Sequence, residues 1–473
     1  MADTPLHYRS ATDLAGLVAR GEISAVEVMR AFLARIEELN PQLNAIVSLL
    51  PESAALALAE AADRARAAGE PLGPLHGLPT AVKDLNHVKG FRTSFGSPVH
   101  DHDPVATRDA AMVAKLRDAG ALIIGKTNTP SYGVGTLTFN DVFGITRNPW
   151  DLGRHGGGSS GGAAAIAAGL LPIADGSDSG GSIRYPASFC NIVGLRTTPG
   201  RVPADGFADA WSPHLVLGPM GRSSEDAGLL LSAMAGPTSL GPIAIDEDPA
   251  RFRRLAEVDL GRVRIAWSAN ADGLPISPEI RDAYAGARRV LESLGCTIDD
   301  VELDLSTADR AWEAVEMFGF YIDAPEAAWA NPDKLRPDYL RNIRQGRETP
   351  ADELAFGIRE RTAIFERTAR LLQDYDVFVT PATPVSAPPA EVEWVAEIDG
   401  TVLDRYFKWQ RLACRVTMTS HPVLVTPGGF TGTGLPFGLQ MVGPVRGEHK
   451  LLSLGHAIET ATGWVGQRPT GVA

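Results

Sequence analysis

The chain has 473 residues, 44% of them hydrophobic, with 44 basic against 57 acidic side chains and a formal charge of −13. That length can bury a large core and sets a soft expectation of two or three units, although large α/β enzymes often form one. The acidic balance, without any Lys/Arg cluster, excludes the positive stripe that a phosphate backbone requires, so no nucleic-acid partner is expected.

In chain order, the start MADTPLHYRS has no apolar h-region, and the first 70 residues read as helical scaffold. Ser24 and Glu27 make a capping box, after which Val28, Met29, Phe32, Ile36 and Leu39 recur at helical spacing until Asn40-Pro41 stops them. From Pro79 to Gly200 short apolar runs alternate with glycine-rich turns: Thr80 to Val82, a helix around Ala110 to Arg117, then the strand-like Ala121 to Ile124. A βαβ-like unit follows, with a strand at Val263 to Trp267, a helix capped by Ser277 and closed by Gly295, and Thr297 to Leu303. Residues 306–373 read as helices carrying many aromatics (Trp312, Phe318, Phe320, Tyr339), either ordinary packing residues or the wall of a pocket. The strand-like Val377 to Thr380 closes that part. The expected fold is α/β, a single large domain over 1–473 whose central mixed, twisted sheet is covered by helices, with 75–205 as its catalytic core.

The longest apolar stretch, Ala163 to Ala174, is broken by Gly169 and Pro172. It falls short of the ~20 residues a membrane span requires. Cys190, Cys296 and Cys414 are far apart and odd in number, which argues against a disulfide framework and a zinc site. A soluble, cytoplasmic protein is expected.

Three familiar strings occur and fail on context. Gly120-ALII-Gly125-Lys126-Thr127 fits a P-loop, but its apolar, β-branched middle makes a strand, which cannot curl around phosphates. Gly156 to Gly161 fits GxGxxG, yet the preceding NPWDLG is turn-like where a dinucleotide site needs a strand. The same run contains GxSxG, centred on Ser159 and on Ser160, again without the strand a nucleophile elbow follows. Its histidine would have to be His421, which sits in SHPVLV as a strand edge.

Three segments taken together account for the chemistry better: AVKDL around Lys83, GGGSSGG around Ser159, and GSDSGGSIRYP around Ser182. A serine hydroxyl needs a base, and a lysine serves only when neutral. Against an ordinary pKa of about 10.4, neutrality at pH 7 costs roughly 4 to 5 kcal/mol, so the lysine must be desolvated. Lys83 lies between Ala81-Val82 and Leu85 in a likely strand, which turns Asp84 to the opposite face. In Ser179-Gly180-Gly181-Ser182, two residues without Cβ let successive backbone N–H groups converge on one point, as an oxyanion hole needs. Singly, each segment also reads as ordinary structure: a strand-end lysine, a glycine turn, a pair of helix N-caps.

Together they resemble the amidase-signature family. The resemblance runs from GLPTAVKDLNHVKGFRTSFGS through GALIIGKTNTP, FGITRNPWDLGRHGGGSSGG and GSDSGGSIRYPASFCNIVGLRTTPGRV, and resumes at GLPFGLQMVGP. It implies Lys83 as general base, Ser159 as bridging cis-serine, Ser182 as nucleophile, and Ser179, Gly180 and Gly181 as oxyanion-hole backbone. The implied reaction is hydrolysis of a carboxylic amide through an acyl-enzyme, without metal or organic cofactor, on a small-molecule substrate; esters, anilides and carbamates share the same intermediate. The 23-position step from Ser159 to Ser182 is one residue shorter than usual in the family, which leaves Ser160 as a rival bridge. Ser159 is preferred because NPWDLGRHGGGSSGG aligns up to it without a gap.

Pocket walls are expected from the loop Ser131 to Asn140, including Gly135, from Trp211, and from the helices after 306. Their apolar character favours a hydrophobic or aryl amide. A homodimer is compatible with the family. The alternatives are the glutaminase subunit of a tRNA-dependent amidotransferase, which Arg415 to Gly429 resembles less, and a non-catalytic binding protein that retains the motifs.

Overall fold

Ser24 caps the helix Ala25–Leu43 in the manner its sequence encodes: its hydroxyl accepts from Glu27 N–H, and Glu27 reaches back to the Ser24 N–H. Val28, Met29, Phe32, Ile36 and Leu39 are all buried. The expected stop at Asn40-Pro41 is corrected, because Pro41 is accommodated inside the helix, which runs on to Leu43. Proline removes one backbone donor, and here the orphaned Glu37 carbonyl lies on an exposed face where water can take it. The end is set instead by Asn44 in the left-handed conformation, while the Asn40 side chain accepts from Ala45 and Ile46 N–H.

The computed structural model describes residues 4–472, so the outermost residues of the 1–70 and 1–473 segments lie outside it. Strands Ile46–Leu49 (β1), Pro79–Lys83 (β2) and Leu122–Thr127 (β3) form a small sheet in the order β1-β3-β2, β3 running parallel to β2 and antiparallel to β1. The P-loop string is thus a buried strand, as its β-branched middle requires. Arg147–Asn148 (β4) and Asp151–His155 (β5) pair as a hairpin across Pro149-Trp150. A strand therefore does precede the glycine run, against expectation, but it belongs to this two-stranded hairpin and not to a sheet that could present an elbow.

The main sheet contains Ile173–Asp178 (β6), Val193–Arg196 (β7), Val216–Gly221 (β8), Arg264–Trp267 (β9), Thr297–Asp300 (β10) and Val377–Pro381 (β11). After a small ribbon, Glu397–Ile398 (β12) and Thr401–Val402 (β13), it is completed by Val423–Phe430 (β14) and Pro436–Val442 (β15). The order β10-β9-β11-β15-β14-β7-β8-β6 mixes parallel pairs at one end with antiparallel pairs at the other, so the fold is the expected α/β type with a helix-covered mixed sheet. Among the described residues no helix is long and apolar enough to cross a membrane.

Residues 306–373 supply the helices Ala308–Asp323, Glu326–Ala330, Pro337–Glu348 and Ala351–Leu371. The first packs against the third, the fourth and Arg411–Met418. Gly346 allows the tightest crossing, since a Cβ there would sit 1.9 Å from the Met317 carbonyl oxygen.

Candidate active site

Lys83 ends β2 and is fully buried, with Nζ 2.6 Å from Ser159 Oγ, 2.8 Å from Ser177 Oγ and 3.4 Å from the Ser177 carbonyl oxygen. Burial pulls its ammonium from the ordinary 10.5 down to about 7, against the opposing pull of Asp175 and Asp178. Strand alternation sends Asp84 the other way, where its carboxylate meets Lys126 Nζ at 3.1 Å and accepts from Ser94. Asp175, buried on β6, accepts the Lys83 backbone N–H and the Asn86 side-chain amide, and its own pKa is raised by that burial.

Ser159 follows a cis peptide bond from Gly158 and faces Lys83, whereas the buried Ser160 hydroxyl has no hydrogen-bond partner. Ser160 packs toward Gly176, where a Cβ would come within 3.0 Å of its Oγ. The shorter step to Ser182 therefore leaves Ser159 in contact with the lysine.

Ser182 lies on the loop between β6 and the helix Arg184–Cys190 and shares a cavity with Ser159 and Ser177. Asp178 organises that loop. Its carboxylate accepts from Gly181 N–H at 3.0 Å and Ile183 N–H at 3.1 Å, and Arg184 grips it through Nε and Nη2. Although burial opposes it, Arg184 and Arg196 hold the Asp178 carboxyl well below the usual carboxylate range. Gly181 has φ +110, and a Cβ there would meet Ala413 Cβ at 2.7 Å, so glycine is required on both counts. Its N–H is already given to Asp178, unlike the role expected for it in an oxyanion hole. Ser179 donates its hydroxyl to Glu316 Oε1 at 2.8 Å, and its carbonyl accepts from Trp312 Nε1 at 3.1 Å.

The cavity measures about 490 Å³. Its lining is mixed and includes the aromatic residues Phe95, Tyr132, Phe207, Phe318, Phe320 and Tyr339, three of the six from the helices after 306, together with charged side chains such as Arg108, Asp205 and Arg361. Tyr132 and Tyr339 stack at a centroid distance of 4.0 Å. Three histidines also line it, but none bonds the side chain of Ser159 or Ser182: His87 meets Thr93, His100 meets Asp103 and Tyr132, and His214 Nε2 lies 2.7 Å from Glu316 Oε2. His421 is buried elsewhere, its Nδ1 against the Thr419 carbonyl. Among the described residues no group of three or more His, Cys, Asp or Glu side chains is placed to hold a metal ion.

Two expected wall residues are not brought to this cavity. Gly135 lines a much smaller one beside Tyr406, while Tyr132 and Gly133 of the same loop reach the main wall. Trp211 is 71% exposed, its ring turned outward while Ala210 and Ser212 on either side line the cavity. Conversely, Ser177, Asp175, Asp178 and Glu316 went unnoticed in the sequence. The first three stand in the ADGSDSGGS run, where two acids among glycines just before Ser182 were the available signal; Glu316 had none.

The Amidase family model matches residues 27–452. The chain is 33% identical to an acylamidase of Rhodococcus erythropolis, over 99% of this chain and 98% of that one. It is 34% identical to a glutamyl-tRNA(Gln) amidotransferase subunit of Microcystis aeruginosa, over 95% of this chain and 96% of the other. Among solved structures it is similar to a bacterial aryl acylamidase of the amidase-signature enzymes, with a TM-score of 0.87, 27% identity and 98% of both chains covered.

Proposed function

The chain belongs to the amidase family, and from that premise we propose that it hydrolyses a small carboxylic amide through an acyl-enzyme on Ser182, with Ser159 relaying the proton between Ser182 and Lys83. The observation that carries this reading is the environment of Lys83. A neutral amine has two N–H groups and one lone pair, and Lys83 Nζ has three oxygen neighbours to match. With both N–H groups directed at Ser177, the lone pair faces the Ser159 hydroxyl, which is free to accept in turn from Ser182. An ammonium would place a proton where that hydroxyl must give one up.

In this cycle Ser182 Oγ attacks the amide carbon as its proton passes through Ser159 to Lys83. The oxyanion is met by backbone N–H groups of the 179–182 loop, with Ser179 and Gly180 the main donors because Gly181 serves Asp178. The proton held on Lys83 returns through Ser159 to the departing amine, and water then attacks the acyl carbon by the same relay. The aromatic residues in the lining support a substrate with an aryl or other hydrophobic group, and the acylamidase and aryl acylamidase relatives point to the same class.

The test is a panel of acyl anilides, aliphatic amides, aryl carbamates and glutamine, assayed with wild type and with folded Ser182→Ala and Lys83→Ala. Turnover of aryl substrates by wild type alone is expected. Equal turnover by the variants overturns the mechanism, and glutamine hydrolysis that requires added partner subunits favours the amidotransferase reading.

A further inference from the structure

The Ala308–Asp323 helix touches the site in two ways at once. Val315, Glu316, Phe318 and Phe320 line the cavity, and Trp312 and Glu316 also bond to Ser179, the first residue of the loop that carries Ser182 and itself part of the lining. Both hydrogen bonds are sheltered: Trp312 is 1% exposed and Glu316 is 8% exposed. They hold opposite sides of Ser179, one its hydroxyl and the other its carbonyl. The next residue is pinned as well, since a Cβ on Gly180 would lie 3.0 Å from Gln410 Nε2 and 3.1 Å from the Trp312 ring.

Resting on the reading of Ser182 as nucleophile, we propose that Glu316 is a positioning residue for the reaction, fixing the 179–182 loop through the Ser179 hydroxyl so that its amides point at the developing oxyanion. Asp178 anchors the far end of the loop through Gly181 and Ile183, and Glu316 anchors the near end. Without the near anchor, Ser179 and Gly180 are tied only through the Trp312 bond and packing. The amides of Ser179 and Gly180, both free of Asp178, then lose their aim. A transition state is more sensitive to such misalignment than a bound ground state, so the loss falls on kcat. Because the anchor sits on the helix that also carries Phe318 and Phe320, part of the cavity wall and the aim of the oxyanion donors are set by one rigid element.

The experiment compares Glu316→Ala, Glu316→Gln, Ser179→Ala and the Ser179→Ala/Glu316→Ala double variant, using turnover of 4-nitroacetanilide and the rate at which a fluorophosphonate labels Ser182. Glu316→Ala and Ser179→Ala are each expected to lower kcat and the labelling rate by about 10- to 100-fold, with KM moving less than about 3-fold. The double variant is expected to be no worse than either single one, because both remove the same bond. Glu316→Gln, whose amide oxygen still accepts from Ser179, is expected to recover to within about 5-fold of wild type. The proposal is overturned if the two single effects multiply, if the loss lies in KM, or if Glu316→Gln is as impaired as Glu316→Ala. Should Glu316→Ala not fold, Ser179→Ala and Glu316→Gln decide it by the same criteria. Persistence of labelling in Ser182→Ala would instead defeat the underlying assignment of the nucleophile.

Discussion

Lys83 and Asp84 are adjacent in the chain yet belong to separate buried networks, Lys83 reaching Ser159 and Ser177 while Asp84 holds Lys126 at 3.1 Å. The separation keeps a carboxylate from fixing Lys83 as an ammonium. It also leaves Asp84 and Lys126 dependent on each other, since both are buried.

Removing one member of that pair strands the other charge. Asp84→Asn is expected to destabilise the fold by about 3 to 5 kcal/mol, read as a lower urea midpoint. A variant indistinguishable from wild type would mean that Lys126 is buried neutral.

Activity should rise with pH. On the proposed mechanism Lys83 acts only when deprotonated, and burial brings its pKa to about 7, so kcat/KM is expected to climb through a single ionisation near that pH and level off above it. Asp175 raises the Lys83 pKa, so in Asp175→Asn the midpoint should move to lower pH. A profile that is flat between pH 5 and 9 contradicts both expectations.

The Asp178→Asn exchange should act on the loop and on the fold together. It leaves Arg184 and Arg196 buried with a diminished counter-charge and weakens the grip on Gly181 and Ile183. A loss of about 3 to 5 kcal/mol in denaturant unfolding is expected, with a fall in kcat in whatever folds. Because the folded carboxyl is held below its unfolded value of 3.8, its stabilisation is complete above that pH and is lost as the pH falls further. The difference between wild type and variant should therefore shrink in acid.

Glu459 works in the opposite sense. Burial raises its pKa from 4.5 to about 7, even though Ser224 donates to both oxygens. The folded state keeps a proton that the unfolded chain releases, so stability is full below about pH 4.5 and is lost as the pH rises through 7. The term amounts to about 3 kcal/mol. Glu459→Gln cannot titrate, so its stability relative to wild type should improve by about that much between pH 4 and pH 8. Urea midpoints across this range give the difference directly, and a constant difference refutes it.

Much of this was legible in the sequence for identifiable reasons. Ser24 and Ser277 cap the helices they were expected to cap, and the β-branched run before Gly125 forms a strand, because each depends on neighbours a few residues away. Lys83, Ser159 and Ser182 were legible only jointly, since each segment alone also fits ordinary structure and it is their occurrence together that resembles the family. The choice between Ser159 and Ser160 turns on a backbone orientation at Gly158, which residue types do not encode. Pro41 does not end its helix because a proline in a last turn with an exposed carbonyl is cheap to accommodate. Trp211 departs from its expected place because hydrophobicity alone does not fix which way a loop side chain points, and its ring faces solvent. Glu316 lies 137 positions from its partner Ser179, a distance over which only the fold makes the pairing.

The lysine and the nucleophile come from different sheets, Lys83 from the end of β2 and Ser182 from the loop after the edge strand β6. On the proposed mechanism, reactivity is therefore created when the two sheets dock and is absent from either alone. An emerging or partly folded chain carries only an ordinary serine and a charged lysine. It is chemically inert toward the amides and esters around it until the last contacts between the sheets close.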